Sequence, residues 1–333
     1  MSRIRALKKI YAMSRRLSAL RGGSTLRYFF DAAYCSYHHG ASAENYFVLR
    51  FFELDNARRE EFLTSGRSKA ADRELNRGAR SEQRAILADK SLFNSAMKDY
   101  VNRDSLYVPD CGFESFSDFL DRHSVFFLKP TVGTMGKGIE KLRSEDIGSR
   151  EELFARCRAE GLLLEEPIVQ HRLLEKLSPG CVNTVRVNAA RRRNGRICLI
   201  GACLKCGGAG AVTDNFHSGA VAYPLDIESG RVSGAGRDNS TLNDYLEHPA
   251  SGICMPGFQI PNWEAVKACV YGAMERLDSL GYVGWDIAVT PKGAEIVEGN
   301  FNWPGGNIIQ FDGVGKYPLI RECLAYGIER AAD

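Results

Sequence analysis

The sequence lacks long apolar segments and a paired cysteine framework. In a chain of 333 residues, the longest wholly apolar runs fall far short of the ~20 residues that a membrane-spanning helix needs. The basic N-terminus is not followed by the apolar core of a secretory signal peptide. The ten cysteines are scattered, which is typical of reduced thiols in a cytosolic protein. We therefore expect a cytoplasmic protein.

The closest cysteine pair, Cys203 and Cys206, does not have the environment of a metal or redox site. Its neighbours are strand-like, and in a strand these two side chains point to opposite faces of the sheet. A zinc site would need a turn here or a second pair of ligands. We expect both residues to be ordinary thiols.

The sequence also lacks a strong excess of charge. The net charge is +3, which is too small to indicate a nucleic acid as the main partner. The basic residues are nevertheless unevenly distributed, because the first thirty residues contain no acid. The basic residues of this segment are Arg3, Arg5, Lys8, Lys9, Arg15, Arg16, Arg21 and Arg27.

Apolar residues in the same N-terminal segment approach helical spacing. One interpretation is a basic amphipathic helix that makes weak peripheral contact with an anionic membrane. The alternative is a helix that packs on its own protein and leaves a solvated basic face. The thin apolar stripe favours the alternative.

The remaining chain predicts an α+β fold. Residues 40–100 have a helical pattern, whereas short β-rich runs alternate with glycine turns from about residue 106. The predicted strands are 125–129, 162–170, 182–191, 196–204, 219–227, 283–290 and 294–299, and the predicted helices among them are 114–122, 149–160 and 262–280. This pattern favours mostly antiparallel strands with helices packed on one side.

A β-hairpin over residues 283–306 carries the clearest chemical signal. Asp286 lies early on the first strand, and Glu298 and Asn300 lie at the end of the second, where both project from one face. A hairpin folds Asp286 back beside them, which gives two carboxylates and one amide oxygen. These are the hard ligands that Mg²⁺ prefers. The alternative is an ordinary hairpin with polar residues on its wet face.

A second signal is a glycine-rich loop after the apolar strand 125–129. Lys129 ends the strand, and glycines in the loop allow backbone N–H groups to approach a phosphate closely. The loop contains Gly133, Gly136, Lys137 and Gly138. Glycine follows Lys137 where a Walker A loop has serine or threonine, and no dinucleotide fingerprint is present. A plain hairpin is the alternative, and Lys129 with the downstream metal hairpin strengthens the phosphate interpretation.

The strand 162–170 ends in two acids and a proline. Such a segment can cross between subdomains and offer backbone groups to an adenine edge. An ordinary buried strand is the simpler interpretation of the segment taken alone.

Two further segments contain polar residues suited to substrates. In 183–188, alternation places Arg186 on a polar face, where it could neutralise a transferring phosphoryl group. The glycine-rich segment 205–219 contains Lys205, Asp214, Asn215 and His217. His217 could act as a base, although a lone histidine in a polar loop is more often simply solvated.

Together these residues resemble the ATP-grasp superfamily. The resemblance implies that Lys90 and Lys129 are the two nucleotide-binding lysines and that residues 133–138 form the loop over the phosphates. It assigns Glu166 and Ile168 to the adenine hinge. It also implies that Asp286, Glu298 and Asn300 bind the metal. Glu175 is the candidate for the ribose-binding acid.

A closer resemblance is to the sugar-transfer-associated ATP-grasp family, which is related to teichuronopeptide biosynthesis proteins. The matching motifs are residues 39–47 (HGASAENYF), 52–54 (FEL), 170–171 (QH), 183–186 (NTVR) and 214–216 (DNF), so the resemblance covers nearly the whole chain. Two positions depart from it. Lys205 stands where arginine is expected, which keeps the charge but loses the bidentate fork. Gly219-Ala220 replaces the usual double glycine.

The resemblance implies two α+β subdomains that clasp ATP, together with a helical N-terminal module. The expected divisions are 1–88 for the module, 89–170 for the small subdomain with the phosphate loop and hinge, and 171–333 for the large subdomain with the metal site. ATP and Mg²⁺ are the implied cofactors. The oligomeric state is open, because the aromatic residues in 46–52 fit either internal packing, which we favour, or a dimer surface.

The implied activity is that of an ATP-dependent carboxylate–amine ligase that forms an amide through an acyl phosphate. The setting would be cell-surface polysaccharide or secondary-metabolite assembly. Arg186, Lys205 and Asn300 are the candidate catalytic residues, and Asn183, Asp214, Asn215, His217 and Asn302 the candidate substrate contacts. Two alternatives stay open: a kinase acting on a sugar or hydroxyl group, and an ATP-binding scaffold without turnover at a membrane.

Overall fold

The computed structural model describes residues 3–133, 138–208, 210, 214–216 and 219–325. Residues 3–88 form six helices: α1 (Arg3–Arg21), α2 (Thr25–His38), α3 (Ala43–Val48), α4 (Asn56–Glu60), α5 (Ser65–Leu75) and α6 (Ser81–Ala88). Ser24, Ser42, Asp55 and Thr64 precede helices α2 to α5, and each accepts a hydrogen bond from a backbone N–H of the first turn. These caps explain why short, charged segments begin helices at those points.

The smaller sheet is antiparallel and has the strand order β1-β4-β2-β3. Its strands are β1 (Ser105–Tyr107), β2 (Val125–Pro130), β3 (Glu140–Arg143) and β4 (Leu162–Glu165). Helices α8 (Phe113–Arg122) and α9 (Arg150–Glu160) pack on it. The sheet and these helices share their own apolar core, in which Phe116, Phe119 and Phe126 are fully buried.

The larger sheet is also antiparallel and has the order β7-β6-β5-β8-β9. Its strands are β5 (Thr184–Arg191), β6 (Ile197–Cys206), β7 (Val221–Leu225), β8 (Tyr282–Thr290) and β9 (Gly293–Asn300). The remaining helices are α7 (Lys90–Ala96), α10 (Arg172–Glu175), α11 (Trp263–Arg276) and α12 (Tyr317–Ala325).

Helices cover both faces of the larger sheet, so the expectation of helices on one side was wrong. On one face, Val185 and Trp285 pack with residues of α7 and α11. On the other face, Ile200 and Tyr282 pack with the N-terminal helices and α12. The cause is visible in β8, where every residue is buried. Strands that are apolar on both faces need cover on both faces.

The strands and helices predicted from the sequence are confirmed, and the structure adds the strands β1 and β3 and the helices α2, α10 and α12. The run 162–170 ends as a strand at Glu165, before Pro167. Cys203 and Cys206 lie on β6 and belong to different apolar clusters, so they face opposite sides of the sheet as expected. All ten cysteines are free thiols.

The N-terminal helices pack against the larger sheet. Ile10 and Leu17 of α1 are buried in the cluster that contains Tyr282, which confirms packing on the protein itself. Tyr46, Phe47 and Phe51 are fully buried, as internal packing requires. The domain divisions stay predictions, although Phe93 of α7 packs into the core of the larger sheet rather than the smaller one. Among the described helices, none has the length and apolar character needed to cross a lipid bilayer.

Candidate active site

The two sheets meet at a cavity of about 580 Å³. Asp89 and Lys90 line it where α7 begins, Lys129 and Gly133 line it from β2 and the glycine loop, and Glu298, Asn300 and Asn302 line it from the end of β9 onwards. Predicted residues that are up to about 200 positions apart in the sequence thus face one space. The cavity brings cationic groups of one side opposite carboxylate and amide groups of the other.

Lys90 connects α7 to the glycine loop. Asp89 caps the helix by accepting hydrogen bonds from the backbone N–H groups of Ser91 and Leu92. The Lys90 backbone N–H donates to the Thr131 carbonyl at 2.9 Å, and its Nζ donates to the Gly133 carbonyl at 3.1 Å. Burial and the nearby charge of Lys129 lower the pKa of Lys90, although Glu298 opposes this. The cavity therefore holds a lysine that an incoming anion would stabilise in its charged form.

Lys129 forms an ion pair with Glu165 at the end of β4. Glu165 is only 2% exposed, and it also contacts Arg103 at 3.0 Å and accepts a hydrogen bond from Asn94. Burial favours the neutral acid, but the charges of Arg103 and Lys129 outweigh it and lower the pKa of Glu165 to about 2. The Lys129 side chain is thereby held in place at the cavity wall.

The three partners of this cluster, Glu165, Arg103 and Asn94, were missed in the sequence. All of them line the cavity. Glu165 lies diagonal to Lys129 on paired strands, since Phe127 is the direct partner of Glu165. Prediction of the antiparallel pairing between residues 125–130 and 162–165 would have placed Glu165 next to Lys129.

The predicted hinge residues Glu166 and Ile168 do not line this cavity. The Glu166 carboxylate accepts a hydrogen bond from the Asp104 backbone N–H at 3.0 Å, and the Glu166 N–H donates to the Asp104 carbonyl. Glu166 therefore ties β4 to the segment before β1. The role of Glu166 and Ile168 at an adenine edge stays a prediction.

A row of charged residues crosses three strands of the larger sheet. Arg186 on β5 is the partner of Asp286 on β8, and Asp286 is the partner of Glu298 on β9. The Arg186 Nε and Nη2 atoms donate to the two carboxylate oxygens of Asp286 at 2.8 and 2.7 Å. The hairpin therefore places Asp286 beside Glu298, as the sequence predicted.

Lys205 extends the row onto β6. Its Nζ lies 3.1 Å from Asp286 and 3.6 Å from Asp214. Asp214 also accepts hydrogen bonds from the backbone N–H and the hydroxyl of Thr184. Burial opposes the charge on Lys205, but Asp286 and Asp214 outweigh it and raise its pKa. For Asp286, burial is outweighed by Arg186 and Lys205, which hold its pKa well below the usual range.

Glu298 differs from Asp286 in its surroundings. In the part of the chain that the structure describes, no arginine or lysine forms a salt bridge with Glu298. Its side chain is exposed in the cleft, and partial desolvation by the surrounding cleft walls, with the Asp286 charge, raises its pKa. Asn300 Nδ2 lies 3.2 Å from Glu298 and 3.4 Å from Asp286.

This donor set fits a divalent cation. No group of three or more His, Cys, Asp or Glu side chains suited to a metal occurs among the described residues, but the predicted set uses one amide and two carboxylates. Among the residues that the structure describes, Glu298 has no cationic salt-bridge partner, and Asn300 contacts both acids. A divalent cation would supply the missing positive charge, and phosphate oxygens would complete its coordination. Asp286 contributes through oxygens that already accept bonds from Arg186.

The segment after β9 closes over Arg186. The Pro304 carbonyl accepts a hydrogen bond from Arg186 Nη1 at 3.0 Å. A Cβ atom at Gly305, where φ is +78°, would lie 2.4 Å from the same nitrogen. A Cβ atom at Gly284 would lie 2.2 Å from the Pro304 carbonyl oxygen. The glycines of this motif therefore let the segment lie directly on the charged row.

Several predicted residues lie elsewhere. Asn183 is fully buried and hydrogen-bonds to Gln170 and to the backbone of Leu174, which makes it a structural residue and a poor substrate contact. Glu175 accepts hydrogen bonds from Gln170 and the Gly180 N–H. Asn215 is half-buried next to Asp214. Gly136, Lys137 and His217 lie outside the described residues. Gly138 is described and has φ of +74°.

Comparisons with known proteins agree with the family expectation. The family model described as "Sugar-transfer associated ATP-grasp" matches residues 74–320, about three quarters of the chain. A search of curated proteins finds no match.

Solved structures similar to this chain include an N5-carboxyaminoimidazole ribonucleotide synthetase in complex with ADP (15% identity, TM-score 0.41, 65% of this chain and 45% of that chain). They also include the ATP-grasp ligase PsnB with its minimal precursor (16%, 0.44, 74% and 63%) and the VanG D-Ala:D-Ser ligase from Enterococcus faecalis (12%, 0.46, 74% and 63%). The chain thus spans about half to just under two thirds of the length of these proteins.

Proposed function

Because the chain belongs to the sugar-transfer-associated ATP-grasp family, we propose that it is an ATP- and Mg²⁺-dependent ligase. It activates a carboxylate as an acyl phosphate and joins it to an amine. The family description and the sugar-transfer association support a substrate from cell-surface polysaccharide or secondary-metabolite assembly.

One observation carries the proposal. Lys90 and Lys129 face Glu298 and Asn300 across a cavity of about 580 Å³. Two cations on one wall suit the phosphates of a nucleotide, and a carboxylate–amide pair on the other suits the cation that accompanies them.

The side chains of the cavity bind and orient the nucleotide. Lys90 and Lys129 hold its phosphates, and the backbone around Gly133 approaches them closely. Glu165 fixes Lys129 in place, since it binds this lysine and is itself held by Arg103. Glu298 and Asn300, with Asp286 behind them, would hold Mg²⁺, which neutralises charge on the transferring phosphoryl group when bound.

The reaction has two steps. A substrate carboxylate oxygen attacks the γ-phosphorus, the bond to the β-phosphate oxygen breaks, and ADP leaves with that electron pair. The amine nitrogen then attacks the acyl carbon, phosphate leaves, and the ammonium proton goes to solvent. Arg186 and Lys205 keep Asp286 ionised and place two positive charges behind the reacting groups. No protein nucleophile is needed, because positioning and electrostatics supply the catalysis.

Nucleotide product analysis tests the proposal. The protein is incubated with ATP, Mg²⁺ and pooled carboxylates and amines, and the release of ADP and phosphate is followed. We expect release that requires both a carboxylate and an amine. ADP formation that needs only a hydroxylated acceptor, with a stable phosphorylated product, would instead identify a kinase.

A further inference from the structure

A second cavity, of about 800 Å³, lies beside the nucleotide cavity. Its helical wall is formed by one stripe of α5 and the turn after it. The residues of that stripe are Gly66, Lys69, Ala70, Arg73, Asn76 and Arg77, which follow the spacing of a single helix face. We call this space the α5 cavity.

The α5 cavity is strongly basic. Lys69, Arg73 and Arg77 recur every four residues, and Arg84 of α6 joins them, whereas Asp72 is the acid of the lining. Like charges at this spacing repel one another and destabilise a helix. An anionic ligand would relieve this repulsion by supplying the opposite charge.

The basic groups are only partly neutralised by the protein. Arg77 pairs with Glu74 at 2.7 Å, and Arg73 lies 3.9 Å from the same carboxylate. Within the described ranges, Lys69 has no salt bridge. Arg84 donates from Nη2 to the Asn76 carbonyl, and its Nε is buried without a hydrogen-bond partner. The protein therefore leaves part of the positive charge of this cavity without a neutralising partner among the described residues.

The two cavities meet at one segment. Phe301, Asn302 and Trp303 line both of them. Asn76 fixes α5 to the larger sheet, because its side chain accepts from the Gly281 and Tyr282 N–H groups and donates to the Tyr282 carbonyl. A molecule bound in the α5 cavity can thus extend one end towards the phosphates of the nucleotide. Asn76 keeps the helix that binds its other end in a fixed position.

We propose that the α5 cavity binds the carboxylate substrate and selects molecules that carry a second anionic group, such as a phosphate. The second anion contacts the row Lys69, Arg73 and Arg77, while the reacting carboxylate passes Asn302 towards the nucleotide. Trp303, which is 62% exposed, offers a flat ring to the body of the substrate. This inference rests on the proposed function and names its substrate class.

A matched set of probes tests it. Binding of glucuronic acid 1-phosphate, glucuronic acid and glucose 1-phosphate is measured by calorimetry in the presence of MgADP. Trp303 fluorescence gives a second readout, since Trp263 and Trp285 are buried. The variant is Lys69→Glu/Arg73→Glu, and the control is Lys98→Glu/Lys292→Glu, which makes the same charge change at exposed residues outside both cavities.

We expect the probe with two anionic groups to bind the wild type at least about tenfold more tightly than either probe with one anionic group, because charge-assisted contacts add. The cavity variant should lose this preference and the control should keep it. Equal binding by both variants, or no binding of any probe to the wild type, would overturn the inference. MgADP binding is measured separately, so a failure of the nucleotide site is distinguishable.

A different surface carries a second proposal. Leu26, Phe30, Tyr34 and Tyr37 form a stripe along α2, and all four are exposed, Tyr37 to 86%. Leu7 and Tyr11 of the adjoining α1 are also exposed. Helical spacing places Lys8 and Arg15 of α1 and Arg27 of α2 beside them, and within the described residues these three exposed cations make no salt bridge. We call these residues the α1–α2 surface.

We infer that the α1–α2 surface docks on an anionic lipid membrane. Aromatic and leucine side chains enter the interface between headgroups and acyl chains, and lysine and arginine attract anionic headgroups. The charge complementarity favours lipid over a second copy of the chain, because two copies would bring like charges together.

Vesicle sedimentation tests this second inference. The full chain is mixed with phosphatidylcholine vesicles that contain or lack phosphatidylglycerol. We expect binding only to the anionic vesicles, weakened by salt and reduced at least about tenfold in Phe30→Ser/Tyr37→Ser, since apolar burial contributes to docking. No binding by the wild type, or a dimer in solution that this variant dissociates, would contradict it.

Discussion

Asp286 and Glu298 are direct partners across the β8–β9 hairpin, yet their pKa values shift in opposite directions. Arg186 and Lys205 surround Asp286 and hold it ionised. Glu298 lies in the cleft beside that negative charge, and among the described residues it has no salt-bridge partner. One acid of the pair is therefore satisfied by the protein, and the other is suited to an external cation.

Replacing Glu298 with glutamine should abolish turnover without unfolding the protein. We expect activity to fall at least about 100-fold, because a charged ligand of the proposed cation is lost. The pKa of Glu298 is higher in the folded protein than in the unfolded chain. Ionisation of Glu298 therefore lowers the free energy of unfolding once the pH rises above the pKa of the unfolded chain. The variant, which lacks this ionisation, should melt at or above the wild-type temperature at neutral pH without Mg²⁺. Near-normal turnover would remove the metal assignment.

Removing one partner of the buried Arg186–Asp286 ion pair should destabilise the fold more than removing both partners. Arg186→Met leaves a buried carboxylate with Lys205 alone and should lower the free energy of unfolding by about 3–5 kcal/mol. Arg186→Met/Asp286→Leu should recover part of this loss, because Asp214 still compensates Lys205 after its nearer partner is removed, although the double variant remains inactive. Denaturant unfolding of the wild type and the two variants measures the effect. A double variant no more stable than Arg186→Met would show that the ion pair is not the cause.

Gly305 should be required because Arg186 occupies the space beside it. Gly305 and Gly313 both have φ of +78°, but a Cβ atom at Gly313 would meet nothing within 4 Å. Gly313→Ala therefore measures backbone strain alone, and Gly305→Ala should cost about 1–3 kcal/mol more through overpacking. Thermal or denaturant unfolding compares them. Equal losses of stability would refute the close contact with Arg186.

Lys90 should make nucleotide affinity depend on pH in the alkaline range. Its pKa is lowered by burial and Lys129, so it loses its proton at a lower pH than an exposed lysine. Affinity for ADP should therefore weaken as the pH rises, since the neutral amine binds phosphate less well. Calorimetry across this range provides the measurement, with Lys90→Arg as the control that stays charged. A wild-type profile as flat as that of the control would exclude Lys90 from the phosphate site.

Local sequence patterns predicted most of the fold because the strands of the larger sheet are long apolar runs between glycine turns. The strands β1 and β3 escaped prediction for a physical reason. They are the edges of the smaller sheet, with three and four residues, and β3 is largely exposed. Edge strands pair on one side only and need little apolar character. The helical cover on the second face escaped prediction because it depends on long-range packing.

The candidate site was predictable where its residues share a hairpin. Asp286 and Glu298 are brought together by a local turn, whereas Arg186 reaches Asp286 over 100 positions through the pairing of β5 with β8. No local pattern specifies that pairing. The sequence analysis chose Glu166 and missed its neighbour Glu165. The residue at which β4 ends decides which of these two acids faces the cavity. That end depends on pairing with β1 and β2, which no local pattern specifies.

Calorimetric titration of ADP with and without Mg²⁺ tests the central claim most directly. The claim is that Lys90, Lys129, Glu298 and Asn300 form one magnesium–nucleotide site. We predict that Mg²⁺ tightens ADP binding to the wild type and that Glu298→Gln loses this enhancement while still binding ADP. Absence of ADP binding to the wild type, or an undiminished effect of Mg²⁺ in the variant, would contradict the claim.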